Sequence, residues 1–201
     1  GNIDQGNVTT YSTLTDWLSA TSISISQTID FEVPANSTVL GTEYEDNGVE
    51  FDGNLTVSSS IDGALPNDTQ GAEATSTSAT ISFEETQPSV AFQLLDGQGS
   101  FTIEGSISGT TAYSMTLSAS GNNVTGGDFV GLDFDYGVDE ITITGATGDI
   151  WGIDDLILSE LGLDDADGDT YFEPQDCDDS DDTINPGATE IWYDGIDQDC
   201  D

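Results

Sequence analysis

The acidic residues of the C-terminal segment are spaced like the ligands of a calcium-binding loop. In the stretch DADGDTYFEPQD, three aspartates alternate, and an acid follows at position twelve. This is the pattern of an EF-hand-type loop, which surrounds Ca²⁺ with oxygen atoms and takes a backbone carbonyl at position seven. Glycine lies at position four rather than six, and Asp rather than Glu ends the loop. The predicted ligands are Asp165, Asp167, Asp169, the carbonyl of Tyr171, and Asp176.

Two further groups of acids follow in the same segment. The second group consists of Asp179, Asp181, the carbonyl of Asn185 and Glu190, with Asp178 beside it. The third group consists of Asp194, Asp197, Asp199 and Asp201. A solvated acidic linker is the alternative for all three groups. We predict metal binding instead, because the alternating aspartates recur with Gly, Cys and the triplet PGA at fixed offsets.

The absence of basic residues strengthens this prediction. The chain of 201 residues contains 40 Asp and Glu but no Lys, Arg or His. Two carboxylates about 4 Å apart repel by roughly 4 kcal/mol at an effective dielectric of about 20. Only a bound cation can turn that repulsion into a stabilising interaction here. We therefore predict two or more calcium ions in residues 161–201, which hold fifteen of the acids.

The same segment resembles the metal-binding motif named after the secreted copper protein MopE. The matching residues are DADGDTY at 165–171, DCDDSD at 176–181, PGATE at 186–190 and DGIDQDCD at 194–201. The resemblance implies a metal-binding part of a large secreted or surface-attached protein. Copper prefers imidazole or soft sulfur ligands, whereas this chain has no His, one Met and two Cys. An oxygen ligand set favours calcium or magnesium, and crowded, flexible carboxylates favour calcium, so copper is the weaker alternative.

Cys177 and Cys200 are the only cysteines, and both lie in the acidic segment. A disulfide between them would close a loop of about 24 residues and contribute roughly 3 kcal/mol; it would imply an oxidising, extracytoplasmic compartment. The alternative is a pair of thiols that bind a soft metal, but neighbouring aspartates disfavour the thiolate. Five Asn-X-Ser/Thr sequons are candidate glycosylation sites: Asn7, Asn36, Asn54, Asn67 and Asn123.

Composition also excludes several classes of function. Binding to a nucleic acid backbone relies on Lys and Arg, so a formal charge of -40 excludes it. Nucleophile-base triads need His or Lys, and phosphoryl transfer needs cationic clamps. Paired carboxylates, as in glycoside hydrolysis, are the remaining route to catalysis. We predict a protein that is not an enzyme, and no run of residues is apolar enough for a membrane span.

The rest of the chain is predicted to be an all-β domain. Tyr11, Leu14, Trp17 and Leu18 have helical spacing and indicate one short amphipathic helix. From about residue 26 onward, nine short runs with a period near two are separated by Gly, Asn, Asp and Ser. This pattern predicts an antiparallel β-sandwich, with a jelly roll as first choice. The composition changes at 159–163, so the predicted domains are residues 1–160 and residues 161–201.

The predicted sandwich resembles the β-sandwich domains of secreted surface proteins and carbohydrate-binding modules. The resemblance is carried by IDFE at 29–32, GVEF at 48–51 and GIDDLIL at 152–158. It implies a structural calcium held by Glu32, Asp154 and Asp155; the alternative is that these acids point into solvent. A carbohydrate-binding module would also expose aromatic side chains, for which the candidates are Trp17, Tyr44, Tyr113, Trp151 and Trp192.

These observations predict a secreted, calcium-stabilised surface module of an adhesive, matrix or filament assembly. The alternative function is glycan binding as a carbohydrate-binding module of a larger secreted protein. Copies of a chain with a charge of -40 repel one another and have no basic residue for an ion pair. We therefore expect any self-assembly at the cell surface to require divalent cations, shared near Asp194 to Asp201.

Overall fold

The computed structural model divides the chain into two compact units, Gly1–Glu160 and Leu161–Asp201. The structure describes residues 7–21, 25–32, 35–59, 70–119 and 127–159 of the first unit. In the second unit it describes residues 167, 177–178, 180–192 and 195–200. No helix in these ranges has the length and apolar character needed to cross a membrane.

The first unit is built almost entirely from antiparallel strands. Its described residues form ten strands: β1 (Val8–Tyr11), β2 (Ile25–Ile29), β3 (Val49–Phe51), β4 (Leu55–Ser58), β5 (Gly71–Ala74), β6 (Ser78–Leu95), β7 (Ser100–Ile107), β8 (Thr110–Ser118), β9 (Asp128–Thr144) and β10 (Gly152–Ser159). The same residues form an α-helix, α1 (Leu14–Thr21), between β1 and β2, and a turn of 3-10 helix at Glu45–Asn47. The predicted fold class, an antiparallel β-sandwich with one short helix, is confirmed.

Helix α1 begins at a threonine cap. The hydroxyl of Thr13 accepts a hydrogen bond from the Asp16 N–H (3.1 Å) and donates one to the Asp16 carboxylate (2.7 Å). These bonds satisfy an N–H group that has no partner within the helix. Trp17 is completely buried, and its indole N–H donates to the carbonyl of Leu132 at 3.3 Å. Trp17 therefore packs the helix against strand β9.

Strands β6 and β9 are long enough to belong to both layers of the sandwich. Residues 81–83 of β6 pair with β3, whereas residues 90–95 pair with β10. Strand β9 pairs with β1 through residues 131–134 and with β7 through residues 140–144. Inward-facing residues of both halves join one hydrophobic core, including Ile81 and Phe92 of β6. The two halves of each long strand thus form opposite walls of that core.

The bend between the two layers lies where the pairing of β6 with β9 is irregular. Register shifts occur between Ser82 and Gln87 and between Gln87 and Ser89. Pro88 stands at this irregularity, where a residue without an N–H is tolerated in a strand. Gly137 has a φ of +66°, and a Cβ there would lie 2.5 Å from Cγ2 of Thr86. Glycine is required at this position by both its backbone angle and the close approach of β6.

The predicted strands differ from the observed ones at this bend, at 48–59 and at two short strands. The runs at 78–85, 89–95, 128–134 and 139–145 are four of the nine predicted strands, but they form only two continuous strands, β6 and β9. The Gln-Pro and Tyr-Gly breaks between these runs mark bulges rather than turns. The run at 48–59 is one predicted strand, but it forms both β3 and β4. Strands β1 and β5 were not predicted, because four residues are too few to show a period of two.

Burial of tyrosine makes the stability of the first unit sensitive to alkaline pH. Burial raises the pKa of Tyr113 to about 12, above the ordinary value of about 10. The neutral phenol is favoured in the folded state, so its contribution is present below pH 10 and is lost as pH rises toward 12. We expect the melting temperature to fall across this range. Thermal unfolding from about pH 8 to pH 12 measures the effect.

The variant Tyr113→Phe provides the control for this pH dependence. The Tyr113 hydroxyl accepts the Tyr136 N–H at 2.8 Å, so the variant is expected to be less stable at neutral pH. Its melting temperature should decline less steeply between pH 10 and 12, because one raised pKa has been removed. A variant that keeps the full alkaline decline would show that Tyr113 is not the residue responsible.

Candidate metal centre

Two buried amide side chains organise the second unit. Asn185 is 8% exposed and Gln198 is 7% exposed. The Asn185 side chain accepts the Gly187 N–H at 2.9 Å and donates to the Asp182 carbonyl at 3.3 Å. The Gln198 carbonyl accepts the Asn185 N–H at 2.9 Å. Buried polar groups must be hydrogen-bonded, and these bonds join the turn at 182–188 to the last residues of the chain.

A disulfide joins residues 177 and 200 of the second unit. Cys177 and Cys200 are bonded, with their Cα atoms 5.8 Å apart, which confirms the predicted pairing. The Cys177 N–H lies 3.2 Å from Sγ of Cys200. No other cysteine exists in the chain. The bond holds the chain next to Asp199 against the chain at Cys177.

Three carboxylates converge within this framework. Glu190, Asp197 and Asp199 each place one oxygen within 4.8 Å of the oxygens from the other two. Glu190 and Asp199 are half-buried, whereas Asp197 is exposed. The Gln198 N–H donates to Oε2 of Glu190 at 3.0 Å, and the Ile191 N–H donates to Oε1 of Gln198 at 3.0 Å. Gln198 therefore holds Glu190 next to Asp197 and Asp199, the two neighbours of Gln198 in the sequence.

The chemistry of this cluster fits a hard cation. All three groups offer carboxylate oxygens, which suit Ca²⁺ and Mg²⁺, and both sulfur atoms are oxidised in the disulfide. Oδ1 of Asp199 is buried and accepts no hydrogen bond from any residue within the described ranges. A buried carboxylate oxygen without a donor is costly to desolvate. A cation bound between the three groups would remove this cost and their mutual repulsion.

The cluster combines predicted ligands from two different groups. Glu190 was placed in the second predicted loop, and Asp197 and Asp199 in the third. Among the described residues, the structure does not bring Asp178 and Asp181 into the cluster. The prediction from spacing placed these three residues in two separate groups, whereas the structure brings their carboxylates together. Gln198 was missed altogether, because an amide between two aspartates gives no signal in the sequence.

The other described ligands of the second predicted loop are engaged in local turns. An oxygen of Asp178 accepts the Ser180 hydroxyl, and an oxygen of Asp181 accepts the Thr183 hydroxyl, each at 2.7 Å. Hydrogen bonds from the Thr183 hydroxyl and N–H hold the pKa of Asp181 below its usual value. The Asn185 carbonyl accepts the Ala188 N–H at 2.9 Å. These interactions shape the loop around the cluster.

Most ligands of the first predicted loop lie outside the described residues. Of that loop the structure describes Asp167, which is half-buried. The predicted ligands outside the described ranges are Asp165, Asp169, Tyr171, Asp176, Asp179, Asp194 and Asp201. Their assignment to metal remains a prediction.

The acids predicted to hold a calcium ion in the sandwich are differently placed. Asp154 is completely buried in β10, so it does not point into solvent. The Asp155 N–H donates to Oδ1 of Asp154 at 2.9 Å, and Asp155 has a φ of +47°. The Glu32 carboxylate accepts the Gln70 N–H at 2.9 Å. Within the described ranges these three acids do not form a carboxylate triplet like that of the second unit.

The described sequons differ in accessibility. Asn7 and Asn36 are exposed. Asn54 is half-buried, and its side-chain amide donates to the Asp52 carboxylate at 2.9 Å. Asn67 and Asn123 lie outside the described residues. Asn7 and Asn36 are therefore the better placed acceptors among the three.

The aromatic candidates for a sugar platform are mostly core residues. Trp17 and Trp151 are completely buried, and Tyr113 is 3% exposed. Tyr44 packs edge-on against Phe31 and Phe51, at centroid distances of 5.8 and 6.1 Å. Trp192 is 75% exposed and stands alone in this respect among the five candidates. The candidates therefore do not form an exposed aromatic pair.

A different pair of aromatics lines a cleft in the sandwich unit. Tyr11 of β1 and Phe129 of β9 are half-buried and border a cavity of about 410 Å³. Ser12, Ser118 and Asp128 add hydroxyl and carboxylate groups to its wall. The sequence does not reveal this pair, because its members are separated by more than one hundred residues and meet only through strand pairing.

Comparison with known families supports a metal-binding assignment for the second unit. A family model described as "Putative metal-binding motif" (Cu-binding MopE) matches residues 176–201. The resemblance seen in the sequence is thus confirmed over this stretch, which contains the disulfide and the three converging carboxylates. The first predicted loop, at 165–176, overlaps the match only at Asp176. The match supports metal binding and does not identify the metal.

Solved structures share part of the chain path of this protein. The CBM32-1 and CBM32-2 domains of Clostridium perfringens ZmpB align with a TM-score of 0.39 and 10% identity, over 77% of this chain and 41% of that one. A structure that also includes the M60 catalytic domain aligns with a TM-score of 0.37 and 14% identity, over 79% and 18%. No curated protein matches the chain.

Proposed function

We propose that this chain is a non-enzymatic, secreted structural module whose C-terminal unit binds calcium. The observation that carries the proposal is the convergence of Glu190, Asp197 and Asp199 inside a loop closed by a disulfide. Carboxylates within 4.8 Å of one another repel, and the chain contains no Lys, Arg or His to offset that repulsion. A bound divalent cation would supply the positive charge.

Calcium is the cation that suits this ligand set best. Copper sites use imidazole or soft sulfur, and this chain offers neither histidine nor a free thiol. Magnesium demands near-ideal octahedral geometry and gives up its water reluctantly, whereas calcium accepts six to eight oxygens in flexible arrangements. The cluster consists of three carboxylates on an irregular loop. Such a loop adapts to calcium more readily than to magnesium.

Removal of one carboxylate from the cluster is expected to weaken calcium binding. Glu190→Gln keeps the shape of the side chain and an oxygen that accepts the Gln198 N–H, but removes one negative charge. We expect the affinity to fall at least about tenfold, because ligand charge tunes calcium affinity. Isothermal titration calorimetry of the full chain with calcium, magnesium and copper measures this change and the preference among metals.

Asp46→Asn is the matched control for that titration. Asp46 is an exposed acid in the 3-10 turn of the sandwich unit. The variant therefore removes one negative charge, as Glu190→Gln does, but outside the cluster. Its affinity for calcium should equal that of the unaltered chain. Equal losses in the two variants would mean that general charge, rather than the cluster, attracts the ion. Tighter binding of copper than of calcium would contradict the choice of metal.

A secreted, structural role is supported by the chemistry of the whole chain. A disulfide persists in oxidising, extracytoplasmic compartments. The lack of His, Lys and Arg removes the usual general bases and cationic clamps of enzymes. We assign the module to a surface or matrix protein on these grounds. Fractionation of the source cells with an antibody against the chain tests this role, and recovery in the cytoplasm with free thiols would contradict it.

Carbohydrate binding is the second candidate function, favoured by the cleft between β1 and β9. Half-buried aromatic rings beside hydroxyl groups and a carboxylate are the groups with which proteins hold sugar rings. Glycan-array screening of the full chain tests this candidate. Tyr11→Ala and Phe129→Ala should abolish any signal, whereas Trp192→Ala, which alters an exposed aromatic in the other unit, should retain it.

A further inference from the structure

Strand β8 has a long backbone edge that pairs with no other strand of the described residues. It spans nine residues, Thr110–Ser118, and pairs with β7 on one side. No other described strand pairs with its second side. An open edge presents a row of N–H and C=O groups that can pair with another chain.

The other edges of the sheet are short or covered. Beside β4, Leu40 donates to the Leu55 carbonyl and Val57 donates to the Thr38 carbonyl, each at 2.8 Å. Beside β3, Phe51 donates to the Gly41 carbonyl at 2.8 Å. Strands β1 and β2 have four and five residues. Strand β8 is therefore the longest edge that the described part of the sheet leaves unprotected.

This edge also lacks the charges that normally prevent strand pairing. No Asp or Glu occurs between Glu104 and Asp128, although the chain contains 40 acids, and β8 contains no proline. Edge strands are usually protected by charged side chains, proline or bulges. The pairing of β8 with β7 shifts register at Ala112, opposite Gly105 and Ser106, whereas Tyr113–Ser118 pair regularly. The same absence of charge makes β8 the edge at which two strongly acidic molecules repel least.

The side chains of β8 are complementary to a second copy of the same strand. Ser114, Thr116 and Ser118 are exposed on one face, while Met115 and Leu117 are half-buried and pack against the core from the other. An antiparallel copy would continue both faces. It would place hydroxyl residues beside hydroxyl residues and cover the half-buried apolar ones. This alternation identifies a second copy of the chain as the fitting partner.

We propose that β8 is a self-association edge, which pairs antiparallel with β8 of a second molecule. The acid opposite the middle of this edge is Glu104 of β7, which pairs with Ser114. In a register centred near Ser114, the two Glu104 residues would lie three strand spacings apart, or about 14 Å. This exceeds the screening length of about 8 Å at physiological salt. Monovalent salt is therefore sufficient for association at this edge, in contrast to the divalent cations expected from sequence.

Association through one strand pair is weak and increases with salt. A single strand pair buries less than the roughly 1,200–2,000 Å² of a standard stable interface. We therefore expect a dissociation constant of roughly 0.1–1 mM. Sedimentation equilibrium of the full chain in chelator, at about 0.02 M and about 0.5 M NaCl, should show dimers only at the higher salt. A monomer at both salt concentrations, up to about 1 mM protein, would overturn the proposal.

A pair of variants locates the interface. Thr116→Glu adds an acid to the edge, and Thr102→Glu adds one at the paired position on β7, one strand further in. We expect at least tenfold weaker dimerisation for Thr116→Glu and a much smaller effect for Thr102→Glu. Circular dichroism confirms that each variant is folded. Equal effects of the two variants would overturn the assignment to the β8 edge.

A cysteine scan tests the antiparallel arrangement. Ser114→Cys, Thr116→Cys and Ser118→Cys place one thiol each on the exposed face of β8. Two-fold pairing brings only the residue nearest the axis within disulfide distance of its own copy. One of the three variants should cross-link much faster than the others at high salt. Equal rates at all three positions would show that the strands do not pair in a fixed antiparallel register.

Discussion

Reduction of the Cys177–Cys200 disulfide is expected to lower the calcium affinity of the second unit by about a hundredfold. The disulfide holds Asp199 and Asp197 beside Glu190, and its closed loop contributes roughly 3 kcal/mol by restricting the open chain. Each 1.4 kcal/mol is a tenfold change in affinity. Calorimetric titration with calcium before and after reduction measures the loss, with intact mass confirming that two thiols have formed.

The effect should be large because the second unit has little else to hold its loop. Three of its four described large apolar residues are exposed, with Ile191 at 59%, Trp192 at 75% and Ile196 at 51%, and the fourth, Ile184, is half-buried. Small units without a core depend on disulfides or metals for their structure. The double variant Cys177→Ser with Cys200→Ser should reproduce the loss. The melting temperature of the sandwich, which contains no cysteine, serves as the internal control.

An unchanged calcium affinity after complete reduction would contradict this expectation. It would mean that the hydrogen bonds of Asn185 and Gln198 are sufficient to hold the carboxylates together. Loss of binding in Gln198→Ala with the disulfide intact would then identify the side chain that does so.

Asp199→Asn is expected to change the stability of the second unit in opposite directions with and without calcium. In chelator, the variant removes repulsion between carboxylate oxygens that lie within 4.8 Å of one another. That repulsion is about 1 kcal/mol in bulk water and about 4 kcal/mol at an effective dielectric of 20. Because Asp199 is half-buried and Asp197 is exposed, we expect a gain of about 1 to 2 kcal/mol.

In calcium, the same variant is expected to be less stable than the unaltered chain. Calcium stabilises the folded unit in proportion to the logarithm of its affinity, so a tenfold weaker site loses about 1.4 kcal/mol. Thermal unfolding monitored by the fluorescence of Trp192, in chelator and in calcium, measures both signs. The buried Trp17 and Trp151 contribute a separate signal from the sandwich.

Asp182→Asn is the control for this inversion of sign. Asp182 is an exposed acid of the same unit, and it lies outside the carboxylate cluster. Asp182→Asn should change the stability of the second unit little, and in the same direction with and without calcium. If Asp199→Asn destabilises the unit equally in both conditions, Asp199 has a structural role and is not a calcium ligand.

The sequence by itself determined which chemical groups this protein can use. A chain with 40 acids and no Lys, Arg or His must balance crowded carboxylates with solvent or a bound cation, whatever its fold. Two cysteines in one chain can form only one intramolecular pair, and the structure contains it. Alternating short apolar runs were sufficient to predict antiparallel strands, because a period of two is a local property of the strand.

Only the tertiary structure decided which of these groups meet. Glu190 joins Asp197 and Asp199 through hydrogen bonds of Gln198, and no spacing along the sequence encodes that closure. Strand pairing likewise brings Tyr11 to Phe129 and buries Asp154.

The continuity of β6 and β9, and the open edge of β8, also depend on non-local pairing. A local sequence pattern specifies the conformation of a segment. Its neighbours are selected by the burial of one shared core, to which distant segments contribute together.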